Sequence, residues 1–428
     1  MMTEAKQLNT TALHSSHLAH DANMAEFGGY DMPLWYPSGT KAEHLAVISR
    51  AGLFDTSHMA VLTLEGRGAF ELLQRSFTRD LLHCRGKNNA PLSEGSSVYG
   101  LFLRRDGTVL DDAIIGQLGA ERYMIVVNSS MGAAVSAHLR ELSGGGVTIT
   151  DYTDELGKID LQGPASAPIL QTLLSDPEQV LADMGYFTFK GDIFPGGSSA
   201  LRLKDGTSVV LSRTGYTGEF GFELFAEKAD ILHLWDTLLG AGEPYGLLPC
   251  GLAARDSLRA GAMLPLSHQD IGDWLFGHTP WSFVLPWDQE GDGWTKTFIG
   301  GEQLLQGKRD YTYGFAGYDP RKITISSTSE VQDARGTPIG TILTCTTDMA
   351  IGRVGEHIFS IVTPTSKGRP DSFQARGLSC GFVRVGRPCE PGEKVWLVEG
   401  KRKLTVEIRK SIRPDRTARA SMARMRNR

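Results

Sequence analysis

Three blocks of this chain hold the side chains best able to do chemistry. The first is Asp106-Gly107-Thr108-Val109-Leu110-Asp111-Asp112, which ends in paired carboxylates. The second is Gly215-Tyr216-Thr217-Gly218-Glu219-Phe220-Gly221-Phe222-Glu223, with Tyr216 and Glu223 seven apart. The third is Cys250-Gly251-Leu252-Ala253-Ala254-Arg255-Asp256-Ser257-Leu258-Arg259. A carboxylate beside a reacting amine can position it and stabilise the cation that develops as a group leaves. A buried glutamate can accept two N–H donors at once from a guanidine-like edge, and tyrosines give a flat ring something to stack on. No Cys/His or Ser/His arrangement for nucleophilic catalysis stands out. Each block also has an ordinary reading. Turn aspartates cap hairpins, Tyr216-Thr217-Gly218 could be a simple turn, and Arg255, Asp256 and Arg259 could pair locally along a helix face. His58, in Ser57-His58-Met59, reads as a structurally satisfied histidine and not as a general base.

The elements that must position these residues alternate in period. Helix signals cover 41–51, 68–76 and 131–142. Strand signals cover 59–64, 98–103, 112–115, 123–128 and 147–152, with Asp106-Gly107 as the hairpin turn. Antiparallel strands mixed with helices give an α+β class, not a doubly wound sheet. Beyond 300, short β-like runs at 341–347, 357–362, 378–385, 394–398 and 404–408 lie between Gly, Pro and Asp turns, the pattern of a small all-β barrel. The division expected is a polar N-terminal segment over 1–22, a mixed region of two interleaved subdomains over 23–300, a C-terminal β-barrel over 301–412 and a basic tail over 413–428. Four of the seven tryptophans, Trp274, Trp281, Trp287 and Trp294, crowd one Pro-broken loop, read as packed beneath the C-terminal domain.

Composition bounds the rest. The 428 residues exceed one ordinary core. A net charge of -5 and a pI near 6.1 give no reason to expect nucleic acid as a partner. Five cysteines at long spacings, with no Cys-x-x-Cys, speak against a disulfide framework or zinc ribbon and fit a reducing cytoplasm. No apolar run is long enough to span a bilayer. His14, His17 and His20, three apart, read as solvated and not as a metal clip, so no metal site is expected. The arginines from Arg413 onward read as a solvated basic tail, with an acidic partner's docking arm as the competing reading.

Taken together, in this order and at these separations, the blocks resemble the folate-binding aminomethyltransferases, the T-protein family of glycine cleavage. Supporting blocks are Phe27 to Pro33, Gly52 to Met59, Tyr99, Asn128 with its preceding valines, and Leu161-Gln162-Gly163-Pro164. The resemblance covers about Phe27 to Glu302 and, more loosely, runs to about Ile408. It implies Asp111 as the catalytic carboxylate. It implies Met59, Tyr99, Asn128, Tyr216, Glu223 and Arg255 as folate-binding residues, with Arg413 or Arg416 as the family's C-terminal arginine. It further implies tetrahydrofolate as co-substrate and the lipoyl-carrying H-protein as partner and aminomethyl donor. A tetrahydrofolate-dependent demethylase of a small methylated compound is the alternative, prompted by departures at 278–283 and 363–375. A non-enzymatic iron–sulfur assembly factor fits less well, because Leu264 to Asp270 lacks that group's cysteine. A flavin-linked oxidase lacks room for its nucleotide domain. A lipoyl arm requires a through-going channel whose mouth is lined by the C-terminal domain. A small-molecule donor would instead have the tryptophan loop close over a small dry chamber.

Overall fold

The computed structural model describes residues 7–197, 200–307 and 310–427. Two open sheets and a closed barrel build an α+β molecule. The chain enters through a hairpin, Asn23–Phe27 and Tyr30–Trp35, then crosses the helix Gly39–Ser49 into the fully buried strand Ala51–Asp55. That strand belongs to a seven-stranded sheet completed by Leu156–Gln162, Phe189–Lys190, Leu201–Arg202, Ser208–Ser212, Gly221–Glu227 and Leu247–Pro249. Between Asp55 and Leu156 the chain makes a second, five-stranded antiparallel sheet from Ala60–Glu65, Ser97–Leu103, Val109–Gly119, Arg122–Val127 and Thr148–Asp151. The barrel closes from six antiparallel strands, Tyr311–Gly317, Glu330–Gln332, Pro338–Asp348, Leu378–Val385, Lys394–Glu399 and Arg402–Arg409.

Each body buries its own apolar face. Helices Ser166–Leu173, Ile231–Gly242 and Met422–Arg426 cover the larger sheet through Ile169, Leu170, Leu234, Leu238, Met422 and Met425. Helices Ala69–Ser76 and Gly132–Leu142 cover the smaller one through Leu72, Leu73, Val135 and Leu139. Barrel residues Phe315, Val331, Val383, Leu397 and Val406 form another cluster. A shared core then joins the smaller sheet to the barrel: Leu101, Leu103, Phe276, Trp281, Phe298 and Phe382. The tryptophan loop is therefore packed. Trp281 stands edge-on to Phe382 at 4.9 Å, and Trp287 meets Trp294 at 4.4 Å. Lys296 pins the loop's end by donating to the Gln74, Phe77 and Arg79 carbonyls at 2.7, 2.6 and 2.7 Å.

Three expectations are corrected. His17 is not solvated. Its helix, His14–Ala19, turns it onto the buried Asp55 carboxylate at 3.0 Å, with the Tyr36 hydroxyl on its other nitrogen at 2.9 Å. The segment from Arg413 is not a loose tail, because its guanidinium supplies the charge that two buried carboxylates need. Arg413 is fully buried and bonds Asp348 at 2.6 Å and Glu219 at 3.2 Å. Its terminal helix packs on the larger sheet's core; Arg428 lies outside the described residues. Finally, His357–Ser360 pairs with Ile351–Val354 as a separate hairpin, while the barrel takes Tyr311–Gly317 and Glu330–Gln332, which carried no strand expectation.

Candidate functional site

The three sequence blocks converge because the folds of the two sheets bring them together. The Gly215–Glu223 block wraps the side chain of Gln162. A Cβ at Gly215 or Gly221 would overlap that amide, which donates to the Phe222 carbonyl at 3.1 Å. Gly218 turns with φ +77°, its Cα hydrogen facing Ala262. This close approach leads the chain into strand Gly221–Glu227, whose pairing sets Glu223 opposite Asp160. Cys250–Arg259 enters helix Leu252–Gly261, which carries Arg255. Asp111 and Asp112 sit on Val109–Gly119, paired to Ser97–Leu103 across the Asp106-Gly107 turn.

A cavity of about 1280 Å³ opens where the hairpin, both sheets, helix Leu252–Gly261, the tryptophan loop and the barrel meet. Met59, Tyr99, Asn128, Tyr216, Glu223 and Arg255 all line it. Asp111 does not; Asp112 does. Neighbouring strand residues point to opposite faces, so only one of the pair can look into the cavity. Asp111 lies behind the wall with no exposed surface. It accepts from the Asn128 backbone N–H at 2.9 Å, the Asn128 side-chain amide at 2.8 Å and the Ser267 hydroxyl at 2.7 Å. Asp112 takes the Tyr99 hydroxyl at 2.7 Å and shares the Asn128 amide. Burial raises both carboxyls above their ordinary range, and the Asp111 charge raises Asp112 further. The loop covering Asp111 carries two non-glycine residues at left-handed φ, Met263 at 63° and His268 at 62°.

Across the cavity lies a second charged cluster. Lys158 donates to Glu223 and to Asp160, both at 2.5 Å, and Arg255 holds the other Asp160 oxygen at 2.8 Å. Burial pushes the Asp160 carboxyl up, but Lys158 and Arg255 outweigh it and hold it below its usual range. Two cations face two carboxylates, so the cluster is neutral. The Thr214 hydroxyl bonds the remaining Glu223 oxygen, which leaves each oxygen a further lone pair for a ligand donor. The Arg255 guanidinium lies 4.9 Å from the Tyr216 ring centroid. The Tyr216 hydroxyl donates to the Pro265 carbonyl. Arg416 lines the mouth and bonds the Ala262 carbonyl, whereas Arg413 is spent on structure.

Lys158, Asp160, Thr214 and Ser267 were not singled out from the sequence. A signal existed for two of them: in the fully buried strand Leu156–Gln162, Lys158 and Asp160 are charges two apart, which places them on one face. Pro280, Trp281 and Phe283 form a side wall, and barrel residues Thr346, Thr347 and Met349 form another. Phe283 and Trp35, both exposed, flank the opening. Among the described residues no His/Cys/Asp/Glu group is arranged to hold a metal, and no helix is long and apolar enough to cross a membrane.

Comparison with known proteins bears on this architecture. The family described as the GCVT N-terminal domain matches residues 13–276. An aminomethyltransferase of Streptomyces avermitilis is 38% identical over 301 residues, 69% of this chain and 73% of that protein. One of Chlorobium limicola is 37% identical over 317 residues, 73% of this chain and 79% of the relative. The crystal structure of glycine cleavage system aminomethyltransferase T from Bartonella henselae, 24% identical, shares the fold with a TM-score of 0.72 over 94% of this chain and 97% of that one.

Proposed function

We propose an activity for this chain on the premise that it belongs to the GCVT family, whose relatives above are aminomethyltransferases. It is a tetrahydrofolate-dependent aminomethyltransferase of glycine cleavage. A methylene passes from the aminomethyl-lipoyl arm of the H-protein to tetrahydrofolate, ammonia leaves and the dihydrolipoyl arm remains. The supporting observation is that one cavity is lined both by Asp112, with the buried Asp111 behind it, and by a Glu223 held in a charge-balanced cluster. The cavity's volume, about 1280 Å³, exceeds the ~300–1,000 Å³ of a pocket for one drug-sized ligand. Room for an arm beside the folate follows.

The residues divide the work. Lys158 pairs with Glu223, whose two oxygens each keep a lone pair for an N–H donor of the pterin edge. Tyr216 and Tyr99 flank the ring space, and Arg255 orders the cluster through Asp160. Asp112, aimed into the cavity, stabilises the cationic character that develops as ammonia departs. Asp111 sits behind it, held by Asn128 and Ser267, and sets Asp112's charge. The tryptophan loop, pinned at Lys296 and packed on the barrel, walls the cavity without closing it, which favours the arm over a free small donor. We place the enzyme in the cytoplasm.

A donor comparison tests this reading. Purified protein and tetrahydrofolate are supplied with aminomethylated H-protein or with a panel of methylated amines, sulfonium and methoxy compounds. Methylene-tetrahydrofolate and ammonia from the H-protein arm alone are the expected outcome. Methyl-tetrahydrofolate from a small methylated donor, with nothing from the H-protein, overturns it.

A further inference from the structure

Buried polar atoms in folded proteins nearly always have a hydrogen-bond partner. Among the described residues, His58 Nδ1 and Ser97 Oγ are buried and have none, and both residues line the cavity. Neither is a surface group in search of water, since His58 is 1% exposed and Ser97 4%. The expectation that His58 is structurally satisfied is thereby overturned. Its ring is held in place, edge-on to Phe27 at 5.5 Å and tilted to Tyr30 at 6.4 Å, yet its Nδ1 is left open. Ser97 is fixed through its backbone, whose N–H donates to the Phe187 carbonyl at 2.9 Å. It lies two residues from Tyr99, on the same face of the strand.

We infer that His58 and Ser97 are ligand-binding positions, each reserving one hydrogen bond for the bound heterocycle. The inference rests on the folate reading above, but neither residue is among the folate-binding positions that the resemblance implies: His58 lies within a matched block without a role, and Ser97 lies outside the blocks. The chemistry around His58 narrows what it meets. Burial, the largest effect, lowers the imidazole to about 4; Asp55 and Asp160 raise it, and Arg255 and Lys158 lower it. The ring is therefore neutral near pH 7, with one nitrogen donating and the other accepting. The neighbouring Lys158–Asp160–Glu223–Arg255 cluster is already balanced. The complementary ligand portion is an uncharged, planar group with both N–H and carbonyl or ring-nitrogen atoms, as in the lactam edge of a reduced pterin. The open valences raise the free energy of the ligand-free protein, and the ligand relieves it on binding.

This has a signature that a packing role lacks. Removing an unpartnered buried polar group leaves the free protein as stable or more stable, while binding weakens. Tetrahydrofolate binding is measured by calorimetry on the full chain and on His58→Leu, His58→Asn and Ser97→Ala, with ligand-free thermal melts in parallel. His58→Leu is expected to bind about tenfold more weakly or worse, with a melting temperature equal to or above wild type. His58→Asn, whose amide reaches the Nδ1 position, is expected to keep binding within about threefold of wild type, and Ser97→Ala to lose about threefold or more. Unchanged affinity in both His58→Leu and Ser97→Ala overturns the inference, leaving a bound water as the partner. A His58→Leu protein that melts early or fails to fold, with Asn no better, also overturns it in favour of packing. If wild type itself does not bind tetrahydrofolate, the folate reading fails; if wild type binds and the variants match it, only this inference does.

Discussion

At the scale of the residue, the paired aspartates show how strand geometry divides roles between neighbours. Only Asp112 looks into the cavity; Asp111 is held behind by Asn128 and Ser267. Both carboxyls are raised by burial, and Asp112 also by its neighbour's charge. A rate that needs ionised Asp112 falls as pH drops through that raised value, above the ~3.9 of an ordinary aspartate. Asp111→Asn removes the like charge, so the acid limb of the pH–rate profile should move to lower pH; a limb that stays put contradicts the coupling. Its turnover should also fall, because the Asn128 and Ser267 donors lose an anionic acceptor. Opposite the pair, Lys158→Met should weaken tetrahydrofolate binding as Glu223→Ala does. Each removes a group that keeps an acceptor ready, at about 1–3 kcal/mol for each donor left unpaired. A titration in which Lys158→Met matches wild type would show that Glu223 does not depend on its cation.

At the scale of the element, the legible and the illegible parts of the site part company for physical reasons. Helices such as Gly132–Leu142 and strands such as Ser97–Leu103 follow from local periodicity and a turn signal, with observed spans close to the expected 131–142 and 98–103, whereas the strand expected over 112–115 runs on both sides to Val109–Gly119. Tyr216, Glu223 and Arg255 were reachable through their blocks, and the cavity brings them together. Lys158, Asp160 and Ser267 act through partners far away in sequence, which no local pattern encodes. Arg413 and His17 were misread as solvated because a terminal polar segment looks the same whether or not a buried carboxylate awaits it. The barrel strand Tyr311–Gly317 was missed, with two glycines and a mixed pattern that alternation alone does not flag. The tryptophan loop depends on one anchor. Lys296→Met leaves three part-buried carbonyls without their donor, at about 1 kcal/mol each. Thermal melts should fall by several degrees, and proteolysis should open the loop between Trp274 and Trp294. An unchanged melt would mean that the aromatic packing alone holds the loop.

At the scale of the whole molecule, Arg413 joins the motif turn at Thr217 and Glu219, the barrel through Asp348 and helix Leu252–Gly261 through the Leu258 carbonyl. Burial pushes Asp348 up, but Arg413 and His44 outweigh it and hold it well below the carboxylate range. The stability that Asp348 contributes is therefore present above the unfolded carboxyl's pKa, about 3.9, and is lost as pH falls below it. Arg413→Met leaves two buried carboxylates without their cation and should cost about 3–5 kcal/mol, read as a lower denaturant midpoint; a midpoint near wild type would deny the joint its role. This joint ties the turn of the larger sheet, helix Leu252–Gly261 and the barrel together, three of the parts around the cavity. The most direct test of the account is a single-turnover measurement of methylene-tetrahydrofolate formed from aminomethylated H-protein, by wild type and by Asp112→Asn, with tetrahydrofolate binding measured on both. The account predicts product from wild type, a loss of about a hundredfold or more in the variant, and similar folate affinity in the two. Near-full turnover by Asp112→Asn would contradict it.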